Sequence, residues 1–249
     1  MTIARTASLA LPLLLALAAC DAGPSGAEPA ADGAAEAPVD YTYTVAPADG
    51  TFAPRDDCSG QPGAADFLAS LRRAADQHDT EALLALADPD VRLGFGGVDG
   101  ADNMRAEFDA PDGEMWQELA DLMGMGCAID DFGNMMLPWY FAQDTGGDPF
   151  ETMLVTGENV PLRQQADAEA PVLKRISWDV VQLAPIDGGD GTTNYGQPDA
   201  DGWIAVFAGG DSPATGYMRE SDLRSVIDYR LVAQRGEQGW RITALLAGD

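Results

Sequence analysis

One change of rhythm along the chain limits its fold more than any other feature. From Ala64 to Met123 apolar residues recur at helical spacing. After Pro149 they come in short alternating runs separated by Gly, Asp and Pro. Ala64, Phe67, Leu68, Leu71 and Ala75 share one helical face, with Arg72 and Arg73 on the other. The polar break Gln77-His78-Asp79 reads as a turn, with Asp79 or Thr80 capping a second helix through Ala87 that Pro89 ends. Val91, Leu93 and Phe95 alternate as a strand closed by Gly96-Gly97. Further helices are predicted over Ala101–Phe108 and over Glu114–Met123, the latter capped by Asp112 and stopped by Gly124 and Gly126. Helices and a strand, followed by many strands, predict an α+β fold class.

Composition narrows the chemistry. The chain has 249 residues, with 14 basic and 41 acidic side chains, a formal charge of -27, and one histidine, His78. Such a charge repels phosphates, so nucleic acid is not an expected partner. A single histidine rules out sites that need two, and Lys174, the only lysine, stands in no phosphate-binding loop. No cofactor is implied.

The N-terminus reads as an address. Arg5 precedes an apolar run from about Ala7 to Ala19, too short to span a bilayer but suited to a signal peptide. It ends in Leu17-Ala18-Ala19-Cys20, which resembles the lipobox of bacterial lipoproteins. That resemblance implies cleavage after residue 19, lipid on Cys20 and a place in the bacterial cell envelope, membrane-anchored and facing the periplasm. Asp21 resembles an inner-membrane retention signal in enteric bacteria, and inner versus outer membrane stays open. Residues 20–57 then read as a disordered tether with a reach of roughly 30–36 Å, poor in anything to bury. Tyr41, Tyr43 and Val45 alternate within it and suggest a weak strand.

Export implies an oxidising compartment, and with Cys20 lipidated the remaining pair, Cys58 and Cys127, is expected to form a disulfide contributing on the order of 2–4 kcal/mol. The other reading makes one of them a nucleophile beside His78, although neither stands in a nucleophile motif.

The stretch from Phe67 to Phe95 resembles the opening of small cone-shaped α+β domains of the nuclear-transport-factor-2-like group. That resemblance implies a domain able to hold a small-molecule pocket. In the back half, Asn159-Val160-Pro161-Leu162-Arg163, Ala170-Pro171-Val172-Leu173, Gly202-Trp203-Ile204-Ala205-Val206 and Thr215-Gly216-Tyr217-Met218, with a closing leucine at Leu223, resemble the bacterial SH3-like family in order. This match covers about residues 153–224 and departs at the long Gly/Asp-rich loop 187–200. It implies a small β-barrel that binds peptidoglycan or peptide segments in the envelope, with Trp203, Tyr217 and Arg163 as the binding residues. For Trp203 and Tyr217 the residues themselves favour barrel core and edge packing over ligand contact.

Two strands, Asp228–Gln234 and Trp240–Leu246, are left over after the SH3-like pattern. A lone hairpin needs a sheet to join, and the helical front half is short of strands. The expected organisation is a discontinuous α+β domain, 58–152 plus 225–249, carrying an inserted SH3-like barrel at 153–224. Other clusters have ordinary explanations. Met123, Met125, Met135 and Met136 read as copper(I) ligands or as core filler. Asp130-Asp131 reads as an acid/base pair or a solvated turn. Asp187, Asp190, Asp199 and Asp201 could offer oxygens to calcium but lack the twelve-residue spacing and terminal glutamate of an EF-hand, so no metal site is expected. The expected protein is a non-catalytic, lipid-anchored binder of peptidoglycan or an envelope protein partner. The rival is a small-ligand pocket in the α+β domain, with hydrolase or isomerase chemistry.

Overall fold

The computed structural model describes residues 39–187 and 193–248, so Cys20 and Asp190 lie outside the described residues. From Asp40 on, the described residues form one compact unit.

The elements follow the apolar spacing. Helix α1 (Ala64–Gln77) buries Ala64, Phe67, Leu68, Leu71, Ala74 and Ala75. His78 ends it in the left-handed region at φ 48, its N–H donating to the Ala74 and Ala75 carbonyls. Asp79 then caps α2 (Thr80–Leu86) by accepting the Ala82 N–H at 3.0 Å. Strand β1 (Ala87–Arg92) starts at once. Pro89 is therefore a strand residue rather than a helix stop, and Phe95 lies beyond the strand. Proline is tolerated there because β1 is the edge of its sheet. Helices α3 (Ala101–Phe108) and α4 (Glu114–Gly124) follow. The expected Asp112 cap is replaced by Gly113 at φ 71, with Asp112 accepting the Glu114 N–H at 3.2 Å instead. Glycine takes the left-handed turn without a Cβ penalty.

Strands β2 (Ala128–Ile129) and β3 (Met135–Leu137) precede a 3-10 turn at Trp139–Ala142. Then come β4 (Thr152–Val155), β5 (Val160–Arg163), β6 (Val172–Ile176), β7 (Val180–Leu183), β8 (Ile186–Asp187) and β9 (Thr193–Asn194). Strands β10 (Trp203–Ala208), β11 (Ala214–Arg219), β12 (Leu223–Ser225), β13 (Arg230–Gly236) and β14 (Gly239–Leu246) complete the chain.

They build a five-stranded sheet ordered β1-β14-β13-β3-β2 and a seven-stranded sheet ordered β12-β4-β7-β10-β11-β5-β6, with β8-β9 apart. The closing hairpin therefore belongs to the sheet of the helical half: β13 pairs antiparallel with β3, and β14 pairs parallel with β1. Val232 faces Ala244 while Ala233 faces Ile242, so Thr243 is an extra residue in β14. The Trp240 indole donates to the Pro62 carbonyl at 3.1 Å, tying the hairpin to the start of α1. Every pairing in the seven-stranded sheet is antiparallel.

Two apolar clusters result. The larger joins the buried faces of the helices to the five-stranded sheet, and the smaller collects Val155, Val160, Leu162, Ile176, Val181, Ile204, Val206, Ala208 and Met218. Strands β4, β7 and β12 form the wall between them. Along a strand successive side chains face opposite ways. Leu154 and Val180 accordingly pack on the larger cluster, while Met153, Val155, Val181 and Leu223 pack on the smaller.

The disordered tether assigned to 20–57 is corrected over its second half. Tyr43 and Phe52 are buried in the larger cluster, and no strand forms at 41–45. The Tyr43 hydroxyl donates to the Met123 carbonyl at 2.9 Å, and the Phe52 N–H to the Trp178 carbonyl at 2.8 Å. Aromatic burial offsets the entropy of ordering where composition alone argued against it. Cys58 and Cys127 form a disulfide with Cα atoms 5.7 Å apart, both buried.

Candidate functional site

Trp203, Tyr217 and Arg163, the three residues expected to bind, lie on one face of the seven-stranded sheet. Ala205 faces Tyr217 and Trp203 faces Arg219 across β10 and β11, and Tyr217 faces Arg163 across β11 and β5. Strand alternation puts Trp203, Phe207, Tyr217, Arg219 and Arg163 on the sheet face opposite the smaller cluster. Tyr217 and Arg163 are half-buried, and Phe207 is 41% exposed. One Arg163 N–H donates to the Ala170 carbonyl at 2.8 Å, which holds the guanidinium over the strand. Trp203 is different. It is 4% exposed, with the Arg219 guanidinium 4.0 Å from its ring centre. Arg219 is itself anchored on the Asp201 carbonyl. A ligand on this surface would meet Tyr217, Arg163 and Arg219 before Trp203.

The same sheet face is finished in two ways. Its β12-β4-β7 part is covered by the helical half, whereas its β10-β11-β5 part carries the aromatic and basic side chains just named. Where the covered part ends, a cleft of about 430 Å³ opens among α4, β12 and the β6–β7 turn. Asp121, Thr156, Trp178, Ser221, Arg224 and Asp228 line it. Arg224 is held on several sides. It donates to Glu118 Oε1 at 2.5 Å, to the Tyr140 hydroxyl at 3.3 Å and to the Tyr229 carbonyl at 3.1 Å, and lies 3.6 Å from Asp228 Oδ2. Burial works against its charge, yet the Glu118 carboxylate and its hydrogen bonds outweigh burial and hold Arg224 above its ordinary value. Burial likewise pushes the Tyr140 phenol up, against the pull of Arg224.

The remaining candidates fall into packing roles. Met123, Met125 and Met135 are part of the larger cluster, and Met136 is buried on β3. Asp130 accepts N–H groups from Phe132 and Asn134 and the Asn134 side-chain amide, which organises the β2–β3 turn. Asp199 Oδ1 accepts the Asp201 and Trp203 N–H groups. His78 stacks on Trp116 with ring centres 5.2 Å apart, while both candidate thiols are joined to each other. Among the described residues no cluster of three or more His, Cys, Asp or Glu side chains is placed to hold a metal ion.

The cleft residues were not marked by sequence pattern. They come from a helix, two turns and two strand ends, so no spacing joins them. The nearest signal was Trp178, a large aromatic inside the polar turn Ser177-Trp178-Asp179.

No family model matches the sequence, and no curated protein matches it. Two solved structures are similar at low identity. One is an NTF2-like protein with a cystatin-like fold from Novosphingobium aromaticivorans, 16% identical over 73% of this chain and 75% of that one, with a TM-score of 0.23. The other is a ketosteroid isomerase-like protein from Erwinia carotovora atroseptica, 11% identical over 73% of this chain and 88% of that one, with a TM-score of 0.20. Likenesses this distant transfer neither activity nor site residues.

Proposed function

We propose that this chain is a lipid-anchored protein of the bacterial cell envelope whose seven-stranded sheet is an SH3-like module that binds peptidoglycan. The observation that carries the reading is the register of Tyr217 against Arg163 on the uncovered part of that sheet. An amphipathic ring beside a fixed guanidinium suits a ligand with both a carbon framework and carboxylates. Peptidoglycan stem peptides have that chemistry. The surrounding chain is strongly acidic, so a basic pair on one face steers such a ligand to one place. Anchoring through Cys20 would hold this face within reach of the wall.

Co-sedimentation with isolated peptidoglycan tests this, using the chain carrying Cys20→Ser so that no lipid contributes. The wild-type surface should sediment with the polymer. An Arg163→Ala/Tyr217→Ala variant with an unchanged thermal midpoint should sediment markedly less than the wild type. A wild-type surface that remains soluble refutes the reading. In cells, the same Cys20→Ser change should release the protein from the membrane fraction.

A further inference from the structure

We infer that the cleft among α4, β12 and the β6–β7 turn is a binding site for a neutral, hydroxyl-rich ring, the chemistry of a sugar or N-acetyl sugar unit. This inference is independent of the binding role given above to Arg163 and Tyr217.

The argument starts from which polar groups in the cleft are already engaged. Arg224 is spent on Glu118, Tyr140 and Tyr229. Asp121 Oδ1 accepts the Gln117 side-chain amide, and Asp228 Oδ1 accepts the Tyr229 N–H. The Thr156 hydroxyl, the Ser221 hydroxyl and the Trp178 indole N–H have no hydrogen-bond partner among the described residues, and none is sealed from solvent. Thr156, Ser221 and Trp178, each with an unengaged polar group, therefore line one cleft with Asp121 and Asp228, whose carboxylates are partly engaged.

That set selects a ligand class by exclusion. Arg224 is outnumbered by Glu118 and Asp228, which pair with it, and by Asp121, so the cleft is negative and an anion is repelled. An apolar ligand would desolvate hydroxyls and carboxylates without replacing their hydrogen bonds. An ammonium suits the carboxylates but has no acceptor for the indole N–H. A neutral polyol both donates and accepts, and its C–H face stacks on an aromatic ring. The cleft volume of about 430 Å³ falls in the range of small-molecule sites.

The backbone adds a second observation. Trp178 is held at φ 39, a left-handed conformation that a bulky residue rarely adopts. Its N–H donates to the Gly157 carbonyl at 2.9 Å, and its carbonyl accepts the Phe52 N–H at 2.8 Å. Gly50 packs so closely that a Cβ there would lie 2.5 Å from the Trp178 Cβ. Two segments, residues 50–52 and Gly157, thus hold the Trp178 backbone in a strained conformation beside the cleft, and such strain concentrates at functional sites.

The test is a titration of the Cys20→Ser chain with the N-acetylglucosamine trisaccharide, read at the Trp178 indole N–H in NMR spectra. Inorganic phosphate and butylamine are titrated in parallel. The indole resonance should move with the trisaccharide and stay in place with phosphate and butylamine. A Thr156→Val/Ser221→Ala variant, with an unchanged thermal midpoint, should bind the sugar about tenfold more weakly. An indole that ignores the trisaccharide, a double variant that binds it equally well, or a larger response to butylamine overturns the assignment. Peptidoglycan co-sedimentation is scored separately, so failure of either reading leaves the other legible.

Discussion

The two sheets share a wall of strands but are completed differently. The five-stranded sheet is closed by helices and by a buried disulfide, and its side chains are occupied with packing. The seven-stranded sheet turns one face onto a small core of its own and gives half of the other face to the helical part. The rest of that face holds Phe207, Tyr217, Arg219 and Arg163. Covered surface carries stability, whereas uncovered surface with organised polar groups is available for binding. On this comparison both proposed binding surfaces lie outside the helical core, one on the second sheet and one at the seam.

Breaking the disulfide is expected to have the largest effect. Its sequence separation of 69 residues corresponds to about 4 kcal/mol on the chain-entropy argument. A Cys58→Ala/Cys127→Ala variant should lose that much in denaturant unfolding while retaining peptidoglycan binding at temperatures where it stays folded. Next comes the seam. Arg224 and Glu118 side chains are only 10% and 18% exposed, so Arg224→Ala strands a carboxylate and should cost roughly 3 kcal/mol. The paired change Arg224→Met/Glu118→Leu should restore most of that loss, because both of the most buried charges are gone and Asp228, 37% exposed, stays solvated.

Tyr43 gives a smaller, pH-dependent test. Burial, aided by the Asp56 charge, pushes its phenol above the ordinary tyrosine value. The folded state therefore keeps this proton where the unfolded chain releases it, so stability falls as pH rises past about 10. Tyr43→Phe should cost about 1 kcal/mol at pH 7 through the lost bond to Met123 and should flatten the alkaline decline. Asp79→Ala removes the cap of α2 and should cost about 1 kcal/mol, read as a small drop in thermal midpoint.

Local rules were legible in the sequence. The face of α1 followed from apolar spacing, a cap at Asp79 or Thr80 from the polar break before the second helix, and the cysteine pairing from counting. Long-range placement was less so. Tyr43 and Phe52 sit in a polar segment whose composition argues for disorder, yet two aromatic side chains reach the core and order it. Pro89 reads as a helix stop until β1 is known to be a sheet edge. Trp203 looks like a contact residue in its Gly-Trp-Ile-Ala-Val motif, but Arg219 covers its ring. The cleft was least legible, since its polar groups converge only when β12 and the β6–β7 turn meet α4.

The shared wall is tested most directly by native-state hydrogen exchange on a Leu154→Ala variant. Leu154 lies on β4 of the seven-stranded sheet but packs fully buried in the larger cluster. If the wall joins both sheets into one cooperative unit, the most protected amides of β13–β14 and of β10–β11 should lose protection together, by the free energy that Leu154→Ala removes, about 3 kcal/mol. Protection that falls in β13–β14 while β10–β11 is unchanged would contradict it.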